Sequence, residues 1–120
     1  MLAVGLGAED IEPSVNGYEG KVVIACHNSP SGVTLSGDAE PLDEIKKALD
    51  AQSIFARAVK TGGKAYHSHH MKAVATTYEQ LVQQAKAIAP FDSPVPTNAV
   101  MVSSVTDTKI TPGQTIDEKY

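Results

Sequence analysis

The chain predicts as an α+β protein. Its segments through residue 66 spell strand, helix, strand, strand, helix, strand, the order of a ferredoxin-like split unit with two helices on one face of a four-stranded antiparallel sheet. Three observations carry this reading. Lys21–His27 is β-branched and bounded by Gly20 and by Asn28–Gly32, and Val33–Gly37 follows at hairpin distance. Leu42, Ile45, Ala48 and Leu49 then recur at helical spacing behind Asp38, a residue suited to an N-cap. Beyond Tyr66 the pattern changes to one long helix and one apolar strand, which need a larger sheet to cover them. The expected division is therefore 1–66 and 67–120.

In chain order, Leu2–Leu6 is short, apolar and closed by Gly7, a buried strand that starts almost at the first residue. Ala8–Val15 carries acids early and places Ile11 and Val15 four residues apart, a short helix with Asn16-Gly17 as its stop. Pro13 fits that helix only in its first turn. Ile54–Val59 is a further strand, and after Thr61-Gly62-Gly63 the chain is expected to stay extended through Tyr66. From Ser68 to Ala89, Met71, Val74, Ala75, Tyr78, Leu81, Val82, Ala85 and Ile88 form one apolar stripe. Pro90 ends it. Ala99–Ser103 reads as a buried strand, and Thr106–Gly113 turns polar.

Composition narrows the function. A chain of 120 residues can build one modest core. With only 5% aromatic residues there is little stacking surface for bases, and a formal charge of −4 argues against phosphate-backbone binding, so no nucleic-acid partner is expected. Cys26 is the single cysteine, which forbids an intrachain disulfide and favours a reduced, intracellular setting. The apolar runs fall well short of the roughly 20 residues a membrane span needs. No membrane partner and a cytoplasmic location are the resulting expectations.

Chemistry concentrates in Thr61–Met71, where three of the four histidines, His67, His69 and His70, fall within one short stretch. A zinc site would require further ligands, and neither a cysteine pair nor a His-Glu-x-x-His arrangement supplies them; Cys26 and His27 would contribute only if the fold brought them near. The bland reading is capping or surface histidines. Acid-base catalysis is the third, since imidazole titrates at about pH 6.5 and can take and return a proton at neutral pH. That role needs a nucleophile, yet Ser29, Ser31, Ser36, Ser53 and Ser68 all lie outside any Gly-x-Ser-x-Gly elbow. The residues alone leave these readings open.

A resemblance narrows them. Met1–Gly7, Val22–Pro30 with its Asn-Ser-Pro, Val33–Asp38 with its Ser-Gly-Asp, Lys64–Met71 with its Tyr-His-Ser, and Ser103–Thr106 together resemble the acyltransferase domain of type I polyketide synthases. The likeness runs through the whole chain and is greatest for the iterative, highly reducing fungal kind. It implies a malonyl-CoA:acyl-carrier-protein transferase fold, a ferredoxin-like small subdomain set into an α/β-hydrolase-like large one. It also implies a serine that attacks the malonyl thioester, a histidine base, and transfer of malonyl to the phosphopantetheine thiol of the acyl carrier protein.

Residue by residue, the resemblance assigns His67 as the base, because it precedes the motif serine. Asn28 matches an asparagine at the edge of the acyl pocket, and Tyr66 the position where malonyl-selecting members carry a bulky aromatic. His69 and His70 inherit no role. No metal is expected, and no cofactor bound by this segment; malonyl-CoA is substrate, and the carrier protein and the remainder of the synthase are partners. The family's nucleophile elbow, carboxylate-binding arginine and oxyanion glutamine would all lie before Met1, and the end of the large sheet beyond Tyr120. Arg57, the only arginine, matches none of them. The chain is thus expected to be a central piece, inactive alone. The rival is a noncatalytic ferredoxin-like binding module with a histidine-rich metal or ligand site.

Overall fold

The computed structural model describes residues 1–88 and 100–110. They divide into two compact units, 1–73 and 74–120. In the first, strand β1 spans Leu2–Val4, helix α1 Ala8–Val15, strand β2 Val22–Ser29, strand β3 Gly32–Gly37, helix α2 Ala39–Ala51 and strand β4 Ala56–Ala58. The four strands make one mixed-chain-order sheet, β2-β3-β1-β4, with every neighbouring pair antiparallel. The result is a mixed α/β unit.

Register explains where the core sits. Leu2 lies opposite Leu35 and Val4 opposite Val33, so the alternation of both strands points the same four side chains to one face. Ile11 of α1 and Leu42, Ile45 and Leu49 of α2 join them, with Val22, in one buried cluster. Full burial of such side chains is worth roughly 1.5–3 kcal/mol each. The helices are amphipathic because their apolar residues recur to meet that face. Among the residues of α2 expected to be buried, Ala48 is the exception and is exposed.

Several local expectations are corrected. Pro13 lies inside α1 rather than in its first turn. The ladder survives on either side of the missing donor, through Ile11 N–H to Gly7 O and Asn16 N–H to Glu12 O, and wholly buried Ile11 anchors the helix. The strand expected over Ile54–Val59 shortens to β4, because Ser53 (φ 57°) and Ile54 are used to close α2: their N–H groups donate to Asp50 O and Leu49 O. Lys64–Tyr66 is not a continuous extended run. A turn at Gly62-Gly63 (φ 62° and 78°) precedes it, and a second begins at Tyr66.

Helix α3 spans Lys72–Ile88, most of it in the second unit, and is preceded by a 3₁₀ turn over His69–Met71 where a continuous helix from Ser68 was expected. Ala89 lies outside the described residues. Strand β5 is only Met101–Val102 and pairs antiparallel with β6, Lys109–Ile110, a strand the polar reading of Thr106–Gly113 missed. Ala99 lies outside the described residues; Val100, Met101 and Val102 are exposed, and it is Ser103 that is buried. Ser103 Oγ accepts from Val105 N–H (3.1 Å) and Thr106 N–H (3.0 Å), which folds the turn between the two strands. No described helix is long and apolar enough to cross a membrane.

Candidate active site

His67 stands at a turn in the left-handed region, φ 57°, a conformation uncommon for a residue with a Cβ. Ser68 holds that turn together. Its Oγ donates to Ala65 O (2.6 Å) and accepts from His70 N–H (3.3 Å), while Met71 N–H donates to Ser68 O (3.0 Å). His67 and Tyr66 are both exposed, Tyr66 by 47%. The sequence places these two side by side; the structure adds that they share a turn rather than a strand.

Asn28 stands apart from that turn. It lies within β2, as the extra residue of a bulge: His27 pairs with Val33 and Ser29 with Gly32, leaving Asn28 without a cross-strand partner. Its Nδ2 donates to Thr34 Oγ1 on β3 at 2.8 Å, and no hydrogen bond joins it to the turn of His67. A surface depression of about 500 Å³ lies nearby between the start of α1 and the hairpin. Gly7, Asp10, His27, Ser29 and Pro30 line it, and Tyr66, His67 and Asn28 do not.

What the sequence reading did not connect is Asp38 with His69 and His70. Asp38 is the residue before α2, but its carboxylate caps nothing there. Oδ1 instead lies 2.7 Å from His70 Nε2 and 3.1 Å from His69 Nε2. The hydrogen bond from His70 holds the Asp38 carboxyl below the usual carboxylate range; desolvation, the next largest effect, works in the other direction, and the charges of the two histidines add smaller lowering effects. The two rings lie 4.2 Å apart, tilted by 35°. His69 Nδ1 is buried and has no partner, so a proton there would be unpaired; a tautomer protonated on Nε2 donates to Asp38 and leaves only a lone pair inside.

One donor atom from each of Asp38, His69 and His70 lies within 4.8 Å of the others, a spacing a divalent cation could use. As arranged, Asp38 Oδ1 is hydrogen-bonded to His70 Nε2 and lies 3.1 Å from His69 Nε2, while His69 Nδ1 has no partner. Neither His67 nor His27 belongs to this trio. Gly37 builds the neighbouring corner. Its φ is 153°, and a Cβ there would stand 1.9 Å from Lys21 O and 2.8 Å from Val22 Cα; the close approach lets Asp38 N–H donate to Lys21 O at 2.9 Å.

With this geometry in view, comparison with known proteins is decisive about kind. Residues 1–120 match the family described as acyl transferase domain, and the chain belongs to that family. It is 53% identical over 120 residues to a reducing polyketide synthase of Alternaria brassicicola, covering all of this chain and 5% of that protein. It is 44% identical over 110 residues to a highly reducing polyketide synthase of Neurospora crassa, covering 89% of this chain and 4% of that one. The chain spans about a twentieth of the curated relatives it matches, which are polyketide synthases.

Solved structures agree on the fold. The acyltransferase domain from module 8 of the salinomycin polyketide synthase superposes with a TM-score of 0.75 at 20% identity, over 99% of this chain and 26% of that one. The acyltransferase domain of the polyketide synthase PpsC of Mycobacterium tuberculosis gives 0.64 at 24% identity, over 69% and 25%.

Proposed function

We propose that this chain carries the base of a malonyl-transferring site, His67, within the acyltransferase domain of a reducing polyketide synthase. The observation that carries the reading is His67 itself: a histidine held in a left-handed turn by Ser68, at the motif position of a chain that belongs to the acyl transferase family. A serine elsewhere in the synthase attacks the thioester carbonyl of malonyl-CoA while His67 takes its proton. His67 then returns that proton to the departing thiolate of coenzyme A, leaving malonyl on the serine. In the second half the phosphopantetheine thiol of the carrier protein attacks, gives its proton to His67, and the serine regains one.

Residues 1–66 serve as a ferredoxin-like small subdomain, a reading supported by the strand order β4-β1-β3-β2 with antiparallel neighbours. Residues 67–120 contribute to an α/β-hydrolase-like large subdomain. Tyr66, next to the base and half exposed, is the selectivity residue, its ring leaving little room for an α-methyl group. Asn28 orients substrate from the edge of the acyl pocket; its amide has a donor to spare after the bond to Thr34. The synthase works in the cytoplasm, with the carrier protein and its other domains as partners.

The test uses the intact synthase. His67→Ala is expected to abolish malonyl transfer to the carrier protein, while the same change at Arg57, exposed on β4 and matching no family position, leaves it intact. Transfer within threefold of wild type in His67→Ala would remove His67 from the base role. The 120-residue chain alone, which holds no Gly-x-Ser-x-Gly elbow, should take up no label from radioactive malonyl-CoA.

A further inference from the structure

We propose that Asp38 is a positioning residue for the turn that presents His67, acting through His69 and His70. The inference rests on the reading of His67 as the base. Asp38 occupies the position before α2 where a carboxylate ordinarily accepts from the helix's own N–H groups, yet its side chain makes no such bond. The carboxylate is spent on the two histidines instead, one oxygen taking both Nε2 atoms at 2.7 and 3.1 Å.

Each end of this link is anchored. On one side Gly37 brings the chain against the start of β2, and Asp38 N–H donates to Lys21 O. On the other, His70 N–H donates to Ser68 Oγ and Met71 N–H to Ser68 O, so the rings sit on the same turn that Ser68 ties to Ala65. A strained non-glycine residue such as His67 persists when its surroundings over-determine it. The bonds of Ser68 are local to the turn. The bonds to Asp38 tie it to the sheet and to α2, across more than thirty residues of sequence. Without them the turn keeps its local bonds but loses its fixed place, and misplacement of a catalytic group by about 1 Å is enough to slow chemistry roughly a hundredfold.

Steady-state malonyl transfer by the intact synthase tests this, with kcat and KM for malonyl-CoA measured separately. Asp38→Ala should lower kcat about ten- to a hundredfold and leave KM within about twofold. Asp38→Asn should restore most of the rate, because an amide oxygen still accepts from both rings. His70→Ala, at a partly exposed side chain, should reproduce the kcat defect and decides the matter if Asp38→Ala does not fold. Full kcat in both Asp38→Ala and His70→Ala, beside an inactive His67→Ala, overturns the positioning role. An active His67→Ala overturns instead the base reading beneath it. Chelation with EDTA should change nothing; activity lost to EDTA and restored by zinc would make the trio a metal site and overturn the proposal.

Discussion

Gly37 shows how much one residue can decide. Its missing side chain lets β3 end against β2 and delivers Asp38 to the two histidines. Gly37→Ala should cost on the order of 3 kcal/mol or more, read as a lowered denaturant midpoint in the acyltransferase domain, because the added methyl meets backbone atoms that cannot move aside. An unchanged midpoint would show that the strand can shift. Asp38 gives a pH signature at the same scale. Its carboxyl is held low by His70, so its contribution is present above the usual carboxylate range and fades as pH falls through its folded value. The thermal-stability gap between wild type and Asp38→Asn should thus be largest above the usual carboxylate range and close as pH falls below it. A gap that widens in acid would contradict the sign.

The residue scale is also where sequence reading ran out. Tyr66 and His67 are proposed as site residues from a contiguous motif. The Asp38 link was not legible, since the partners are far apart in the chain and an aspartate before a helix reads as a cap. Asn28 reads as a turn former beside Ser-Pro, and only the register of β2 against β3 shows it to be a bulge residue.

At the scale of elements, strong periodicity transferred well. The hydrophobic positions of α2 and the β-branched run of β2 were recovered because they pack on one core. Short elements were not: β4 lost its first residues to the closing of α2, and β6 hides in a polar segment because two residues carry no period. Pro13 remains a weak point in α1. Pro13→Ala should restore a donor to the helix and raise stability by about 1 kcal/mol, seen as a higher melting temperature of the domain. A lower one would mean that the proline's restriction of the unfolded chain outweighs the missing bond.

Helix α3 makes a different demand. Val74, Tyr78, Leu81 and Ile88 follow one another at three, four or seven residues, and all are exposed, Ile88 by 85%. A stripe of this kind is a surface to be covered. A solved acyltransferase domain with this fold is about four times as extensive as this chain. Leu81→Asp should destabilise the intact domain by about 2–4 kcal/mol. Equal stability in a thermal melt would argue that the face stays in water.

On the scale of the whole molecule, the sheet order and the family match define an acyl transferase fold, and the proposed role of His67 as base is built on them. The mixed α/β character was legible because strand and helix periods alternate along the sequence. Three neighbouring histidines have no intrinsic ranking in the sequence; in the fold two of them lie against Asp38, while His67 stands in the turn before them. The most direct measurement is single-turnover acylation of the intact synthase by radiolabelled malonyl-CoA. With His67→Ala the rate of acyl-serine formation should fall by roughly 10²–10⁴-fold with the serine still present. A rate within threefold of wild type would contradict the assignment of His67 as the base.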